Sequence, residues 1–342
     1  MTDALMLHGA PGSPYTRKML AVLRYRRIPY RLIVDREAHP ELPTPKVQLL
    51  PTFFLPSDDG ELEAVVDSTP LIRRFDSEFA GREIVPNDPV LAFIDELIED
   101  YGDEWLTKAM FHYRWYYEAD IERGGEILPR WRGISKPEAE IQAMKSFIQE
   151  RQISRLYVVG SNDTTAPVIE ASYGRFLTLM SRLLERRPFV LGDRPGSADF
   201  ALYGQLTALT AFDPTPMALA YETAPRVCAW VQLMEDLSGS PAEPDGWLTR
   251  DEMAAHLGEF IGEIGRVYAP ALLANHAAIQ DGAEQVQTSI DGQPWVQPPF
   301  PYQARCLMAL RTSYHRLGDA DRAAVDALLA GSGVDALFVP PA

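Results

Sequence analysis

Residues 12–18, Gly-Ser-Pro-Tyr-Thr-Arg-Lys, place a hydroxyl side chain, Ser13, at the start of a helix that follows the first strand. Ser13 suits the N-cap and Pro14 the first helical position, where a missing N–H costs nothing. Free amides and the positive end of the helix dipole favour an anion there. A hydroxyl at that spot can donate a hydrogen bond to a thiolate and so favour ionisation of a thiol, whose free pKa is about 8.5. Taken alone, a serine followed by a proline, as in Ser13 and Pro14, is also typical of an ordinary helix cap.

Two further positions carry groups that suit a peptide-like ligand. Pro51 directly precedes a strand, and a cis peptide bond there would turn the backbone N–H and C=O of Leu50 outward, where they can pair with an extended ligand. Asp67 and Ser68 stand where the last strand meets its helix. Ser68 with the helix amides can hold a carboxylate, while Asp67 can pair with an ammonium group. Each motif alone is also typical of an ordinary turn or cap.

The elements around these residues predict a small mixed sheet under helices. Strands are expected at 5–8, 30–34, 52–55 and 62–66, and helices at 13–28 and 68–79. The β-α-β opening requires a parallel pair, and the Ser-Asp-Asp-Gly turn at 57–60 makes the last two strands antiparallel. Beyond residue 86 the pattern is helical, with a break at Gly102, and no further strand is expected.

Size, charge and cysteine content exclude several classes of protein. The 342 residues suffice for two or three domains, and a 46% hydrophobic content excludes wholesale disorder. The net charge is −16; residues 1–86 hold 11 Lys and Arg against 12 Asp and Glu, and the remainder holds 21 against 36. Nucleic acid and anionic membranes require a basic face, so neither is expected as a partner.

Several observations favour a cytoplasmic protein without a metal site. The two cysteines, Cys228 and Cys306, are far apart, which excludes a disulfide framework or a Cys-based zinc site and fits a reducing compartment. No signal-peptide pattern is present, and no apolar run approaches the ~18 residues that cross a bilayer. The acidic segment around 88–104 lacks the paired Glu-x-x-His pattern of a di-metal site, so no metal is expected.

In order and spacing, these motifs resemble the glutathione S-transferase superfamily. The resemblance covers residues 5–86, with SPYTRK, LLPTFFL and VVDSTPLIRRFD, and resumes with PFVLGDRPGSADFALYGQ at 188–205. There Asp199 matches a buried helix-start aspartate, and Gly196 replaces the usual Ser or Thr cap. The resemblance implies a thioredoxin-like α/β domain (1–86) and an all-helical substrate domain (87–245). A helical C-terminal extension (246–342) is expected to pack on the helical domain.

The resemblance also implies glutathione as the bound cosubstrate and a role for each matching residue. Ser13 would contact the glutathione sulfur, Leu50 would pair with the cysteinyl backbone, and Pro51 would be cis. The remaining contacts are implied for two pairs of residues. Asp67 and Ser68 would hold the γ-glutamyl end, and His39 and Lys46, in the connector, would contact the glycyl carboxylate.

The helical domain is expected to supply the pocket for a small hydrophobic electrophile. An aromatic-rich segment provides its candidate lining: Tyr101, Trp105, Phe111 and His112. The alternative for each of these rings is a place in the core. Serine at position 13 cannot form the mixed disulfide that a cysteine would, so disulfide exchange is disfavoured.

The resulting functional hypothesis is a transferase that activates the glutathione thiol for attack on an electrophile. Two alternatives stay open: a glutathione-dependent isomerase, and a non-catalytic module of the same fold used for binding or assembly, since fold does not fix function. The resemblance further implies a homodimer that pairs the first domain of one subunit with the second domain of the other.

Overall fold

The computed structural model describes residues 4–57, 59–241 and 243–339. The first domain has a four-stranded sheet in the order β2-β1-β3-β4, in which β2 is parallel to β1 and the other neighbours are antiparallel. Its strands are β1 (Leu5–His8), β2 (Tyr30–Ile33), β3 (Thr52–Pro56) and β4 (Leu62–Val65). Two helices complete the domain: α1 (Pro14–Arg26) and α2 (Ser68–Glu78). This topology confirms the predicted one; of the predicted 57–60 turn, Asp58 lies outside the described residues.

The chain continues as an all-helical domain and a C-terminal extension. Its helices are α3 (Pro89–Tyr101), α4 (Thr107–Tyr116), α5 (Glu118–Arg132), α6 (Glu138–Ile153), α7 (Ala166–Leu184), α8 (Ser197–Ala211), α9 (Pro214–Thr223), α10 (Pro225–Met234), α11 (Arg250–Glu263), α12 (Ala269–Gln280), α13 (Pro301–Arg316) and α14 (Asp319–Leu329). A π-helical turn, Gly102–Leu106, joins α3 to α4 at the predicted break. None of the helices in these three described ranges has the length and apolarity that a bilayer crossing demands.

The prediction of no strand beyond residue 86 is wrong, because the extension contains a β-hairpin. Strands β5 (Val286–Ile290) and β6 (Gln293–Gln297) pair antiparallel around Asp291 and Gly292, whose φ angles are 52° and 73°. Asp-Gly is a favoured two-residue turn because both positions need positive φ. In β5 the end residues are buried and the residues next to them exposed, as expected for a strand with one face on the core.

The two domains share one continuous apolar core that includes Leu7, Phe53 and Leu206. Helix α1 packs on α8. At their crossing a methyl group at position 204 would lie 2.6 Å from the carbonyl oxygen of Pro14, so Gly204 is needed for this approach. The first turn of α1 is therefore positioned by the helical domain.

Asp199 stabilises the start of α8 from a fully buried position. Its carboxylate accepts hydrogen bonds of 2.9 Å from the backbone N–H groups of Gly196 and Val190. Burial raises the pKa of this carboxyl to about 8. The aspartate thus has the capping position that the sequence predicted, with Gly196 as the N-cap.

Candidate functional site

Ser13 is the N-cap of α1, at the end of the loop that follows β1. Its Oγ accepts the N–H of Thr16 at 3.3 Å and donates to the carbonyl oxygen of Leu50 at 3.4 Å. Both distances are at the long end for hydrogen bonds, so the hydroxyl can turn toward a better acceptor at little cost. Pro14 occupies the first helical position, and the side chain of Ser13 is half-buried. A donor next to a helix N-terminus is suited to an anion.

Leu50 and Pro51 bring a second element to Ser13. The Leu50–Pro51 peptide bond is cis, as the resemblance implied. Pro51 is buried directly before β3, while Leu50 is half-buried. Because Ser13 contacts the carbonyl of Leu50, the start of α1 and the start of β3 meet although 37 residues separate them.

Asp67 lies at the N-cap of α2 but does not cap the helix. Its backbone has φ 85° and ψ 111°, and its side chain makes no capping hydrogen bond. Such a conformation costs a non-glycine residue about 1–3 kcal/mol and persists only where the surroundings impose it. The carboxylate instead accepts a 2.9 Å hydrogen bond from the Tyr302 hydroxyl, in the C-terminal extension. The structure therefore leaves the Asp67 carboxylate free of any helix-capping role.

Ser68 is buried beside Asp67, and its hydroxyl accepts a 3.2 Å hydrogen bond from Lys18 Nζ. Lys18 is also bound to Glu99 at 2.7 Å and to Asp103 at 2.6 Å. Burial opposes the ionisation of Glu99, but the positive charges of Arg73 and Lys18 outweigh this effect and hold the pKa of Glu99 below its usual range. The Ser68 side chain thus belongs to a buried ion cluster, and the groups left for a ligand carboxylate are the first amides of α2.

Tyr15 carries another hydroxyl close to Ser13 in sequence. Its OH donates to the carbonyl oxygen of Asp103 at 2.7 Å. Burial raises the pKa of Tyr15 well above its ordinary value. This hydroxyl joins α1 to the π-helical turn, which leaves Ser13 as the better candidate for contact with a sulfur.

The two predicted connector residues do not join the group around Ser13. His39 is half-buried, and its Nδ1 lies 3.0 Å from a carboxylate oxygen of Glu41. Lys46 is exposed. Within the described part of the chain no hydrogen bond links either residue to Ser13, Leu50 or Asp67. Their role toward a glycyl carboxylate remains a prediction.

Three of the four aromatic candidates lie in the core of the helical domain. Tyr101, Trp105 and His112 are each exposed by no more than 2%. Trp105 donates its indole N–H to Ser172 at 3.2 Å, and its ring packs on Trp295 of the hairpin. A side chain this deeply buried cannot contact a small molecule unless the helices separate.

The other two buried rings are also held by neighbours from the core. Tyr101 packs edge-on against Phe260 of α11. The ring of His112 lies between Ser161 (2.7 Å) and Glu170 (3.1 Å), and burial lowers its pKa. The structure therefore does not bring the three aromatic side chains together with Ser13. Phe111 is half-buried and stays a candidate.

Helix α5, none of whose residues was predicted to belong to the site, provides an apolar wall beside the Ser13 loop. A methyl group at position 12 would lie 2.3 Å from Leu128 and 3.1 Å from the ring of Trp131. Both side chains are half-buried. Arg114 fixes the same loop by donating to the carbonyl oxygen of Gly12 at 2.9 Å. Leu128 and Trp131 thus replace the predicted aromatics as the apolar groups next to the site.

Two family models match the chain in the order that the motifs predict. The model described as glutathione S-transferase, N-terminal domain, matches residues 7–83, which include Ser13, Pro51 and Asp67. The model described as glutathione S-transferase, C-terminal domain, matches residues 147–237. The chain therefore belongs to the glutathione S-transferase superfamily. A search of curated protein sequences found no match.

Solved structures with a similar fold are distant in sequence. A glutathione transferase family member from Pseudomonas fluorescens Pf-5, with two glutathione bound, is 13% identical, with 70% of this chain and 90% of that chain covered and a TM-score of 0.43. A glutathione S-transferase from Methylobacterium radiotolerans, in complex with glutathione sulfonate, is 18% identical, with coverage of 72% and 98% and a TM-score of 0.41. Maleylpyruvate isomerase from Pseudomonas aeruginosa PAO1 is 16% identical, with coverage of 71% and 100% and a TM-score of 0.33. Likeness at this level carries no argument about ligand or reaction.

Proposed function

We propose that the protein is a glutathione-dependent transferase that activates the glutathione thiol for attack on a small hydrophobic electrophile. The observation that carries the proposal is the Ser13 hydroxyl, held at the N-terminus of α1 and 3.4 Å from the carbonyl of Leu50. Membership of the superfamily supports it, because the matched N-terminal domain contains both residues. A cytoplasmic homodimer is part of the same proposal.

Each residue of the site has one task in this proposal. Leu50 pairs with the cysteinyl backbone, and Asp67 pairs with the γ-glutamyl ammonium while the first amides of α2 hold the adjacent carboxylate. These contacts place the ligand's sulfur at Ser13. Binding of groups remote from the sulfur therefore orients the sulfur for reaction. Glutathione supplies the nucleophilic sulfur.

Ser13 acts on the protonation state of that sulfur. Its hydroxyl donates a hydrogen bond to the thiolate and not to the thiol, so it lowers the thiol pKa from about 8.5 toward the working pH. A hydrogen bond to a charged group contributes about 1.5–3 kcal/mol, which corresponds to roughly one to two pKa units. The half-buried walls of Leu128 and Trp131 offer the electrophile an apolar surface.

Two substitutions at position 13 separate the chemical role from the capping role. Ser13→Ala removes both the donor and the helix cap, whereas Ser13→Gly removes the donor and costs the cap only a few tenths of a kcal/mol. Both variants should lose most thiol-dependent turnover and raise the pKa of bound glutathione, measured by the ultraviolet absorbance of the thiolate. Only the alanine variant should lose about 1 kcal/mol of stability.

Tyr15→Phe is the matched control, because its hydroxyl is bound to the Asp103 carbonyl. It should leave the pKa of the bound thiol unchanged. Wild-type turnover in both Ser13 variants would remove this residue from the mechanism. Glutathione binding by the wild type without turnover of any electrophile would favour the non-catalytic alternative.

A further inference from the structure

The side chain of Tyr302, in the C-terminal extension, is hydrogen-bonded to the candidate glutathione site. Its hydroxyl donates to Asp67 Oδ2 at 2.9 Å. Across residues 4–57, 59–86 and 246–339, as the structure describes them, this is the one hydrogen bond between the extension and the first domain. It ends on the carboxylate that the proposed function assigns to the ligand's ammonium group.

We propose that Tyr302 is a positioning residue, which orients the Asp67 carboxylate for the α-amino group of a γ-glutamyl ligand. The proposal rests on the proposed function. A carboxylate has two oxygens with about four lone-pair sites, so a hydroxyl on Oδ2 leaves Oδ1 available. Because the phenol is neutral, it fixes the carboxylate without cancelling the negative charge that the ammonium needs.

Tyr302 is held in place by the elements on both sides of it. Asn275, buried on α12, donates to the carbonyl of Phe300 at 2.9 Å and accepts the Phe300 N–H at 2.7 Å. One residue after Tyr302, the buried Gln303 donates to the carbonyl of Glu104 at 3.0 Å. These bonds fix the first turn of α13, so the Tyr302 hydroxyl is a preplaced donor.

Three further acids lie near Asp67 and Tyr302. Asp103 and Glu104 are buried and Asp100 is half-buried, and burial raises the pKa of each, which reduces the negative charge that they contribute beside Asp67. Burial and the nearby Asp67 raise the pKa of Tyr302, which keeps the phenol protonated and able to donate. Lys18 is already paired with Glu99 and Asp103, so it does not compete for Asp67.

Two binding titrations on the full chain test the assignment. The variant is Tyr302→Phe, and the ligands are glutathione and glutaryl-cysteinyl-glycine, which lacks only the α-amino group. Tyr302→Phe should weaken glutathione binding about threefold to tenfold, the effect of one net hydrogen bond, and leave the affinity for the amino-less analogue unchanged. Tyr314→Phe is the control: it removes another carboxylate-bound hydroxyl of α13, with Asp326 as the partner at 2.6 Å, and should change neither affinity.

Each other outcome overturns the role of Tyr302. Equal weakening for both ligands would mean a general structural effect, and unchanged glutathione affinity would mean no effect on the site. Tighter glutathione binding in Tyr302→Phe would show that the hydroxyl competes with the ligand. If the wild-type chain does not bind glutathione at all, the proposed function fails, and the Tyr302 assignment fails with it.

Discussion

Asp67 offers the sharpest test of the site, because its backbone and its side chain make opposite demands. Its φ of 85° favours glycine, whereas the proposed role needs a carboxylate. Replacing Asp67 with Gly, Ala and Asn in turn separates the two demands. Glycine relieves the backbone, alanine does not, and asparagine keeps the shape but removes the charge.

The stability differences follow from the geometry. Relief of the backbone strain is worth about 1–3 kcal/mol, and glycine loses about 0.4–1 kcal/mol through the greater freedom of the unfolded chain. Both Gly and Ala lose the Tyr302 hydrogen bond, about 0.5–1.5 kcal/mol. Asp67→Gly should therefore be more stable than Asp67→Ala by about 1 kcal/mol, or about 1–2 °C in Tm if the chain melts as one unit.

Affinity should follow a different order. All three variants lose the charged pair with the ammonium group, about 1.5–3 kcal/mol, which is roughly a 10- to 150-fold rise in the Kd for glutathione. Calorimetric titration at low salt measures this rise, and circular dichroism melting measures stability on the same samples. Near wild-type affinity in the Gly and Asn variants would refute the assignment of Asp67 to the ligand, whatever the melting temperatures.

Three further predictions concern stability and assembly. Burial raises the pKa of Asp100 to about 7 from 3.8, so this carboxyl binds its proton more tightly in the folded chain than in the unfolded chain. The contribution of this proton to the free energy of unfolding is therefore lost as the pH rises from about 4 to 7. Asp100→Asn should then stabilise the protein by an amount that grows over that range and levels off above it; a pH-independent difference in Tm would contradict this. Gly292→Ala should lower stability by about 1–2 kcal/mol in chemical denaturation, because φ is 73° and no neighbour is within 4 Å to contribute a steric effect, while Gly292→Asn should lose less. Light scattering at micromolar concentration should give the mass of a dimer, and a monomer mass would refute the predicted assembly.

The first domain could be predicted because its signals are local. Ser13 with Pro14 marks a helix start within two residues, and the Pro51 motif precedes a short apolar strand. The positions of β1 to β4 and of α1 and α2 follow from such patterns. Local pattern also located the break at Gly102, where the helix becomes a π turn.

Other elements depend on tertiary contacts or were obscured by weak propensity. Helix α5 contains Gly124, Gly125 and Pro129, which individually disfavour a helix. Packing explains Gly124: a methyl group at this position would lie only 3.3 Å from the ring of Trp115, so glycine lets the ring approach the helix. The β5–β6 hairpin did have a local signal, Asp-Gly between alternating strands, which the prediction overlooked.

The site was predictable in its parts but not in its connections. The sequence indicates Asp67, yet nothing near it indicates Tyr302, which is 235 residues further along the chain. Lys18 carries no sign that it takes the hydroxyl of Ser68 into a buried ion cluster. The aromatic segment is compatible with a pocket lining or with a core, and only packing places Tyr101 and His112 in the core.

The contact between Gly204 and the carbonyl of Pro14 limits how this chain can be recombined with its relatives. A first domain grafted onto another helical domain keeps its α1 start only if the host has a glycine at the crossing. The host must also offer the two acids that neutralise Lys18, since a lone buried ammonium strongly destabilises a fold. The unit that can be exchanged between such proteins is thus residues 5–86 together with the facing surfaces of α3, the π turn and α8, not the first domain alone.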